Sequence, residues 1–461
     1  MRKLGVLLSL LILMSSAGYT QQDQTDSKES ESEKASLQYF RQPGYQGLNV
    51  FETPKETDVE YDGFDVRIGG DFALQFQGLD HSNAEGAPQL APLGSNVNLP
   101  TANLNLDVQL LNGMRMHLRT YLSSRHHNDA WVKGGYLQVD ELDFIKEGFA
   151  SQVMDITTLR AGVDEPNYGD AHFRRTDNAM AIYNPFVGNY IMDAFTTEPF
   201  FEAYFQPNDF ILVAGMTNGF LNPTVSRANT QYGTGRFLGE VDVAPTFYGK
   251  LGWDSQIDDN LRIRLTGSFY TAQGADNGNH LYNGDRAGSR YYNVFDNIEA
   301  DSSAVNSNNF SGRFNPGFNK ETALQINSFI KYGNVEFFGV FEQTTGNNGA
   351  DDREDGSYTQ LGAELLYRFG SWEQFYIGGR YNSVSGNDDY AEGTDQPDTK
   401  TVNRLNIGGG WFITENTLVK LEYVNQQYDE NFKGTFADPE APTSITEGKF
   451  DGVVLEAVIG F

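Results

Sequence analysis

From Phe64 to Phe461 the chain runs in short segments where apolar and polar residues alternate with a period of two, each bounded by Gly, Asn, Asp, Pro or Ser. Such alternation puts apolar side chains on one face of a strand and polar ones on the other, so each segment is predicted to be a half-buried β-strand. Sixteen can be placed, centred on Ile68, Leu106, Leu118, Leu137, Leu159, Ala203, Leu212, Phe247, Leu265, Ile326, Phe337, Leu365, Ile377, Ile407, Leu421 and Leu455.

The connectors alternate between short and long. Asn112-Gly113 is a two-residue hairpin signal, and Pro207-Asn208-Asp209, Gly333-Asn334, Gly370-Ser371-Trp372 and Thr414-Glu415-Asn416 are similarly tight. Between them come long polar stretches at 80–100, 124–132, 166–195, 220–241, 275–320, 345–356, 386–400 and 429–448. One exception, 143–152 ("DFIKEGFASQ"), falls where a short turn is due and reads as a brief helix. A soluble sandwich has no reason to lengthen every second loop, whereas a transmembrane barrel has short periplasmic turns and long extracellular loops. The predicted fold class is all-β: an antiparallel transmembrane β-barrel of sixteen strands in the cell outer membrane, its even strand number placing both ends in the periplasm.

The N-terminal region bears on the compartment. Arg2 and Lys3 precede an apolar run from Leu4 to Met14 and the small residues Ser15, Ser16 and Ala17, which reads as a signal peptide over 1–20. An anchoring helix would need roughly 20 apolar residues, about twice this run. Residues 21–62 are acidic and, from Gln22 to Lys34, too polar to pack, so they are expected to form a periplasmic tail or linker ahead of a barrel at 63–461. Cysteine is absent, which excludes disulfides, thiolate metal sites and a lipid-modified cysteine. Abundant Gly (49), Tyr (24) and Phe (33) beside only 39% hydrophobic residues suit glycine-containing strands and aromatic girdles better than an aliphatic core. The net charge of −29 makes nucleic acid a poor partner.

Alternation also sorts the charges, because the face opposite the lipid looks into the lumen. Met114, Met116, Leu118 and Leu122 face outward, which sends Arg115, His117, Arg119 and Tyr121 inward. The same rule turns Arg67, Arg160, Arg262, Arg264, Lys331, Arg380 and Arg404 inward, with Asp65, Asp107, Glu202, Glu336, Glu342, Glu364, Glu422 and Glu456. At mid-depth in lipid an Arg or Lys would cost about 2–4 kcal/mol. Arginines crowd the early strands and acids the later ones, so opposed walls across a water-filled passage are expected. The competing arrangement is a plugged barrel whose interior charges pair with one another.

The connector 166–195, "PNYGDAHFRRTDNAMAIYNPFVGNYIMDAF", is too apolar for an exposed loop: Ala179, Ile182, Tyr183, Phe186, Val187, Tyr190, Ile191 and Met192 need burial. Folded inward, it would carry His172, Arg174 and Arg175 to a constriction; an outside cap or a subunit contact is the alternative. The expected pore-lining set is Arg115, His117, Arg119, Arg160, His172, Arg174, Arg175, Arg262 and Arg264. On the last segment Val453, Leu455, Ala457, Ile459 and Phe461 share a face, and a terminal strand ending on an aromatic residue resembles the assembly signal of bacterial outer-membrane proteins.

With these features the chain resembles a bacterial porin, the nearest broad group being the phosphate-selective porin O and P family. The wording "NYGDAHFRRTDNAMAIYNPFVGNYIMDAF" is similar to a segment of porin-like outer-membrane proteins of the Bacteroidota. The pattern covers 64–461, but only this loop and the terminal strand are specific. The resemblance implies a passive channel without cofactor, a homotrimer, contact with outer-membrane lipid and lipopolysaccharide, and delivery to the barrel assembly machinery. It does not carry phosphate over as the solute, since that family gathers lysines at its constriction and arginines would stand there here. Loops 345–356, 386–400 and 429–448 hold fourteen acids against three bases, a vestibule that would concentrate cations. The sign of selectivity stays open, with a lean to anions at the constriction.

Two loops, "DNGNHLYNGD" (276–285) and "GADDREDGS" (349–357), are oxygen-rich but lack EF-hand spacing. His126-His127 lies in a loop and His117 on a strand, so no metal site follows. No G-x-S-x-G elbow occurs and no spacing singles out a catalytic dyad, so no enzyme activity is expected. The expected function is passive diffusion of ions and small hydrophilic solutes. A closed scaffold barrel docking other envelope proteins in secretion or assembly is the alternative, and a conduit for hydrophobic compounds fits a charged lumen least.

Overall fold

A strand with lipid on one side and protein on the other should alternate in exposure, residue by residue. The computed structural model, which describes residues 37–461 apart from 88, 123–129, 220–243, 275–280, 283–287, 289, 297–311, 351 and 437–442, has that texture throughout. Its strands are β1 (Asp65–Ser82), β2 (Asn96–Leu111), β3 (Met114–Leu122), β4 (Trp131–Val139), β5 (Thr157–Asp164), β6 (Glu198–Phe205), β7 (Phe210–Thr217), β8 (Thr246–Gln256), β9 (Leu261–Ala272), β10 (Lys320–Tyr332), β11 (Val335–Asn347), β12 (Arg353–Glu354), β13 (Gly356–Phe369), β14 (Phe375–Asn387), β15 (Tyr390–Ala391), β16 (Lys400–Thr414), β17 (Thr417–Tyr428), β18 (Lys433–Phe436), β19 (Thr443–Thr446) and β20 (Lys449–Gly460). Sixteen of them close a single antiparallel barrel in chain order, and each contains one of the sixteen sequence-placed centres. The pairs β12–β15 and β18–β19 stand apart as small hairpins on the long connectors.

Closure is made by β20 against β1, from Asp71 opposite Gly460 to Ser82 opposite Lys449. Phe461 and Gly70 exchange backbone hydrogen bonds of 2.9 and 3.0 Å beyond the last paired residue. A closed barrel leaves no unpaired strand edge, which is the condition for crossing hydrocarbon with strands. No helix among the described residues is long and apolar enough to cross a membrane.

On β13 the alternation is nearly unbroken: Leu361, Leu365, Tyr367 and Phe369 lie outside, and Gln360, Glu364, Leu366 and Arg368 are buried inside. The same outward face carries Ile68, Leu251, Ile326, Ile377 and Ile407, each more than half exposed. An apolar belt of this extent is incompatible with water and suited to acyl chains. At the short-turn end Tyr367, Phe369, Phe375 and Trp411 stack in series at 6.1, 5.5 and 5.8 Å, part of an aromatic rim at the level of the headgroups. The protein is thus an outer-membrane β-barrel.

Two expectations are corrected. The helix expected over 143–152 is confined to Ser151–Met154, because Gly148 (φ 66°) and Ala150 (φ 56°) sit in the left-handed region and break the preceding turns. The acidic tail expected over 21–62 is not a free tail from Leu37 onward: Leu37, Gln38, Phe51 and Glu52 are buried, and Leu37–Phe461 forms one compact unit. The signal peptide, residues 21–36 and His126-His127 lie outside the described residues, as does most of 276–285.

Placing a charge in the belt should be costly. Ile326→Arg, at the middle of β10, is expected to destabilise the lipid-embedded barrel by about 2–4 kcal/mol, read from urea unfolding in liposomes.

Candidate functional site: the barrel lumen

Three layers meet inside the barrel: the inward strand faces, the connector after β5, and the segment that precedes β1. The β5–β6 connector is held by hydrogen bonds to opposite walls. Val187 N–H donates to Glu422 at 2.7 Å, Ile191 N–H to Asn382 at 2.6 Å and Met192 N–H to Gln360 at 3.0 Å. Its apolar residues Tyr168, Val187, Ile191 and Met192 pack with Tyr282, Tyr291, Phe295 and Phe314 from the connector between β9 and β10, so much of the lumen is protein rather than water.

The layers are pinned at one point. Asp170 on the connector accepts from Lys250 of β8 at 2.8 Å, from Arg264 of β9 at 2.9 Å through two nitrogens, and from Thr266 at 2.8 Å. Glu52, from the segment before β1, reaches the same two cations at 3.2 Å and 2.8 Å. Two carboxylates thus meet two cations in a fully buried knot. Burial would raise the Glu52 carboxyl, but Arg264 and Lys250 outweigh it and hold it well below the usual carboxylate range.

Four of the nine expected constriction residues are committed to such pairs. Arg174 bonds Glu364 at 2.5 Å and Asn49 at 2.7 Å. Arg175 is enclosed by Glu165, Asp177 and Asp193 at 3.0, 3.1 and 2.7 Å. Arg262 bonds Asp254 at 2.7 Å, and Arg264 belongs to the knot. The opposed acidic wall does not form either. Glu336, Glu364 and Glu456 of the later strands face Arg368, Arg380 and Lys420 at 2.8, 2.7 and 2.6 Å, while Glu342 and Glu422 accept from the Tyr282 and Tyr291 hydroxyls at 2.8 and 2.7 Å. In a lumen filled by protein an unpaired charge has no water to solvate it.

The other five, Arg115, His117, Arg119, Arg160 and His172, are brought together around a cavity of about 180 Å³ near the short-turn mouth. His117 Nδ1 lies 2.7 Å from Asp107, Arg119 bonds Asp164 at 3.2 Å, Arg160 bonds Glu202 at 2.8 Å and Arg115 bonds Gln138 at 2.7 Å. Each of the five has a buried nitrogen with no protein partner, Arg115 Nε, His117 Nε2, Arg119 Nε, Arg160 Nε and His172 Nδ1, as do Arg174 and Arg175 at Nε. Arg41 and Arg67 also line the space, against the carboxylates of Glu52, Asp107, Asp164 and Glu165. Five arginines against four carboxylates give the lining an excess of positive charge, and burial pushes the Glu165 carboxyl up to about 7. Burial, with Lys250 adding to it, lowers His172 to about 3, so its ring is neutral there. Among the described residues no group of three or more His, Cys, Asp or Glu is arranged to hold a metal ion.

Lys250 was missed on the sequence, although Phe247 and Leu251 outward on β8 require it to point inward. Glu52 had a fainter signal. Leu37, Tyr39, Phe40, Tyr45, Leu48 and Phe51 give 37–51 an apolar texture that the preceding polar tract lacks.

No protein-family model matches the chain, and no curated protein matches it. Solved structures similar to it include an anion-selective porin from Comamonas acidovorans (10% identity, TM-score 0.48, covering 86% of this chain and 100% of that one). Others are the outer membrane channel DcaP of Acinetobacter baumannii (11%, 0.49, 87% and 99%) and the trimer form of OmpT of Vibrio cholerae (9%, 0.48, 87% and 100%). At these identities and scores the likeness carries no argument about activity.

Removing Asp170, which ties the β5–β6 connector to Lys250, Arg264 and Thr266, should free that connector from β8 and β9. Asp170→Asn is expected to cost about 3–5 kcal/mol, read as a lower urea midpoint and as earlier proteolysis within the β5–β6 connector.

Proposed function

We propose that this barrel is a channel for passive diffusion of ions and small hydrophilic solutes, narrow and anion-leaning where Arg115, His117, Arg119, Arg160 and His172 meet. The observation that carries this is the convergence of these five basic side chains, with Arg41 and Arg67, on one cavity of about 180 Å³. A cavity walled by cationic side chains raises the local concentration of anions. Guanidinium groups, which grip carboxylate and phosphate oxygens alike, do not single out phosphate. The acidic outer loops would act first on an approaching ion, but their field is screened within about 8–10 Å and does not govern the buried cavity. On this reading the protein is a homotrimer in contact with lipopolysaccharide, delivered through the barrel assembly machinery, with Phe461 as part of its assembly signal.

One observation favours the second reading, a closed scaffold barrel: the connectors and the segment before β1 fill much of the lumen. The two differ in conductance. Refolded protein in a planar bilayer is expected to give steady single-channel steps, with a reversal potential of anion-selective sign in a salt gradient. Arg115→Gln should move that potential towards the cation side, and truncating 166–195 should increase the step size. A silent bilayer with the barrel verified as folded would favour the scaffold.

A further inference from the structure

The segment that precedes β1 does not hang from the barrel; it laces across its mouth. Starting at the β2–β3 turn, Gln38 bonds Asn112 at 3.1 Å and accepts from the Gly113 N–H at 2.9 Å. Tyr39 donates to Glu141 at 2.8 Å and Lys55 to the Asp140 carbonyl at 3.0 Å, both in the β4–β5 connector. On the opposite side Tyr45 N–H donates to the Glu415 carbonyl at 2.7 Å, Gln46 to the Glu415 carboxylate at 3.0 Å, and the Tyr45 ring packs edge-on to Trp372 at 5.2 Å. Between these, Asn49 donates to Glu336 at 2.8 Å at the start of β11 and accepts at its carbonyl from Arg262 of β9 at 3.0 Å. Gln206, beside the β6–β7 turn, donates to the Thr53 carbonyl at 3.5 Å. The segment therefore meets every short connector of the barrel or a strand residue beside it.

The lacing requires close approach. Gly44 has φ 63°, and a Cβ there would sit 2.6 Å from the Glu415 carbonyl oxygen, so only glycine lets the chain press on the β16–β17 turn. Phe51 then inserts between Phe173 and Phe329, at 5.7 and 5.5 Å, and Glu52 enters the Lys250–Arg264 knot.

We infer that residues 37–56 are a periplasmic closure of the channel, and that conduction through the barrel needs this segment to be released from its Glu52 anchor. This rests on the channel reading above. Two features make the segment a closure rather than a fixed part of the wall. The arginine-lined cavity lies between it and the barrel, bounded by Phe40, Arg41, Phe51 and Glu52 on one side and Arg67, Arg115 and Arg119 on the other. Lifting the segment would open that cavity to the periplasm. In addition, Lys250 and Arg264 keep Asp170, and Arg264 keeps Asp254 at 3.2 Å, when Glu52 leaves. Release thus leaves both buried cations paired.

Single-channel conductance of the full-length refolded protein tests this with two changes. Glu52→Gln removes the anchor charge and is expected to raise open probability several-fold over the parent. The chain has no cysteine, so Gln46→Cys with Glu415→Cys, bridged by a short bis-thiol-reactive reagent that carries an internal disulfide and spans the reach of the parent Gln46–Glu415 contact, gives a reversible lock in the Glu52→Gln background. Bridging should abolish the gain and reduction of the bridge restore it. Equal conductance of parent, Glu52→Gln and the bridged and reduced forms would overturn the closure and leave the channel reading standing. Silence of all of them, with the barrel verified as folded by heat-modifiable mobility, would overturn the channel reading and the closure with it.

Discussion

A carboxylate sunk in protein rather than water survives as an anion only where cations meet it, and in this barrel the decisive meeting is at Asp170. That residue stands on a connector with little regular secondary structure, yet its bonds to Lys250, Arg264 and Thr266 fix the connector to β8 and β9. Glu52 brings the segment before β1 to the same cations. The wall, the inward connector and the mouth segment are therefore not three independent pieces. Each supplies charge that the others need in order to be buried.

From that constraint follows the character of the interior. Where water would have allowed broad walls of one sign, a filled lumen requires neutralisation at contact distance, and the later strands supply a base for each of Glu336, Glu364 and Glu456. Basic side chains gather around one cavity between β1, β3, β5 and the mouth segment. There Arg115, Arg119 and Arg160 are paired through some nitrogens and unpartnered at Nε.

Outside, the logic is reversed. The belt of Leu, Ile and Phe and the stacked rim from Tyr367 to Trp411 interact with lipid, not with the chain, and need no partners within it. Closure by β20 against β1 allows both regimes to coexist, because it satisfies the backbone once and leaves the two faces free to follow different solvents.

The barrel itself was legible in the sequence because period-two alternation is a local property: a strand's two faces are set by neighbouring residues, and lipid outside enforces the pattern on every strand. Strand number, the short and long connectors, and the inward aim of Arg115, His117, Arg119 and Arg160 all follow from it. What the alternation does not contain is which inward charge meets which. Arg174 and Glu364, or Glu52 and Arg264, are 190 and 212 residues apart in sequence and are joined only by barrel closure and by the path of two irregular segments. The tertiary structure alone decided that Arg174, Arg175, Arg262 and Arg264 serve as ties and that residues after Leu37 cross the mouth. Pairing in a low-dielectric interior is a matter of distance through space, and that distance does not exist until the barrel has closed.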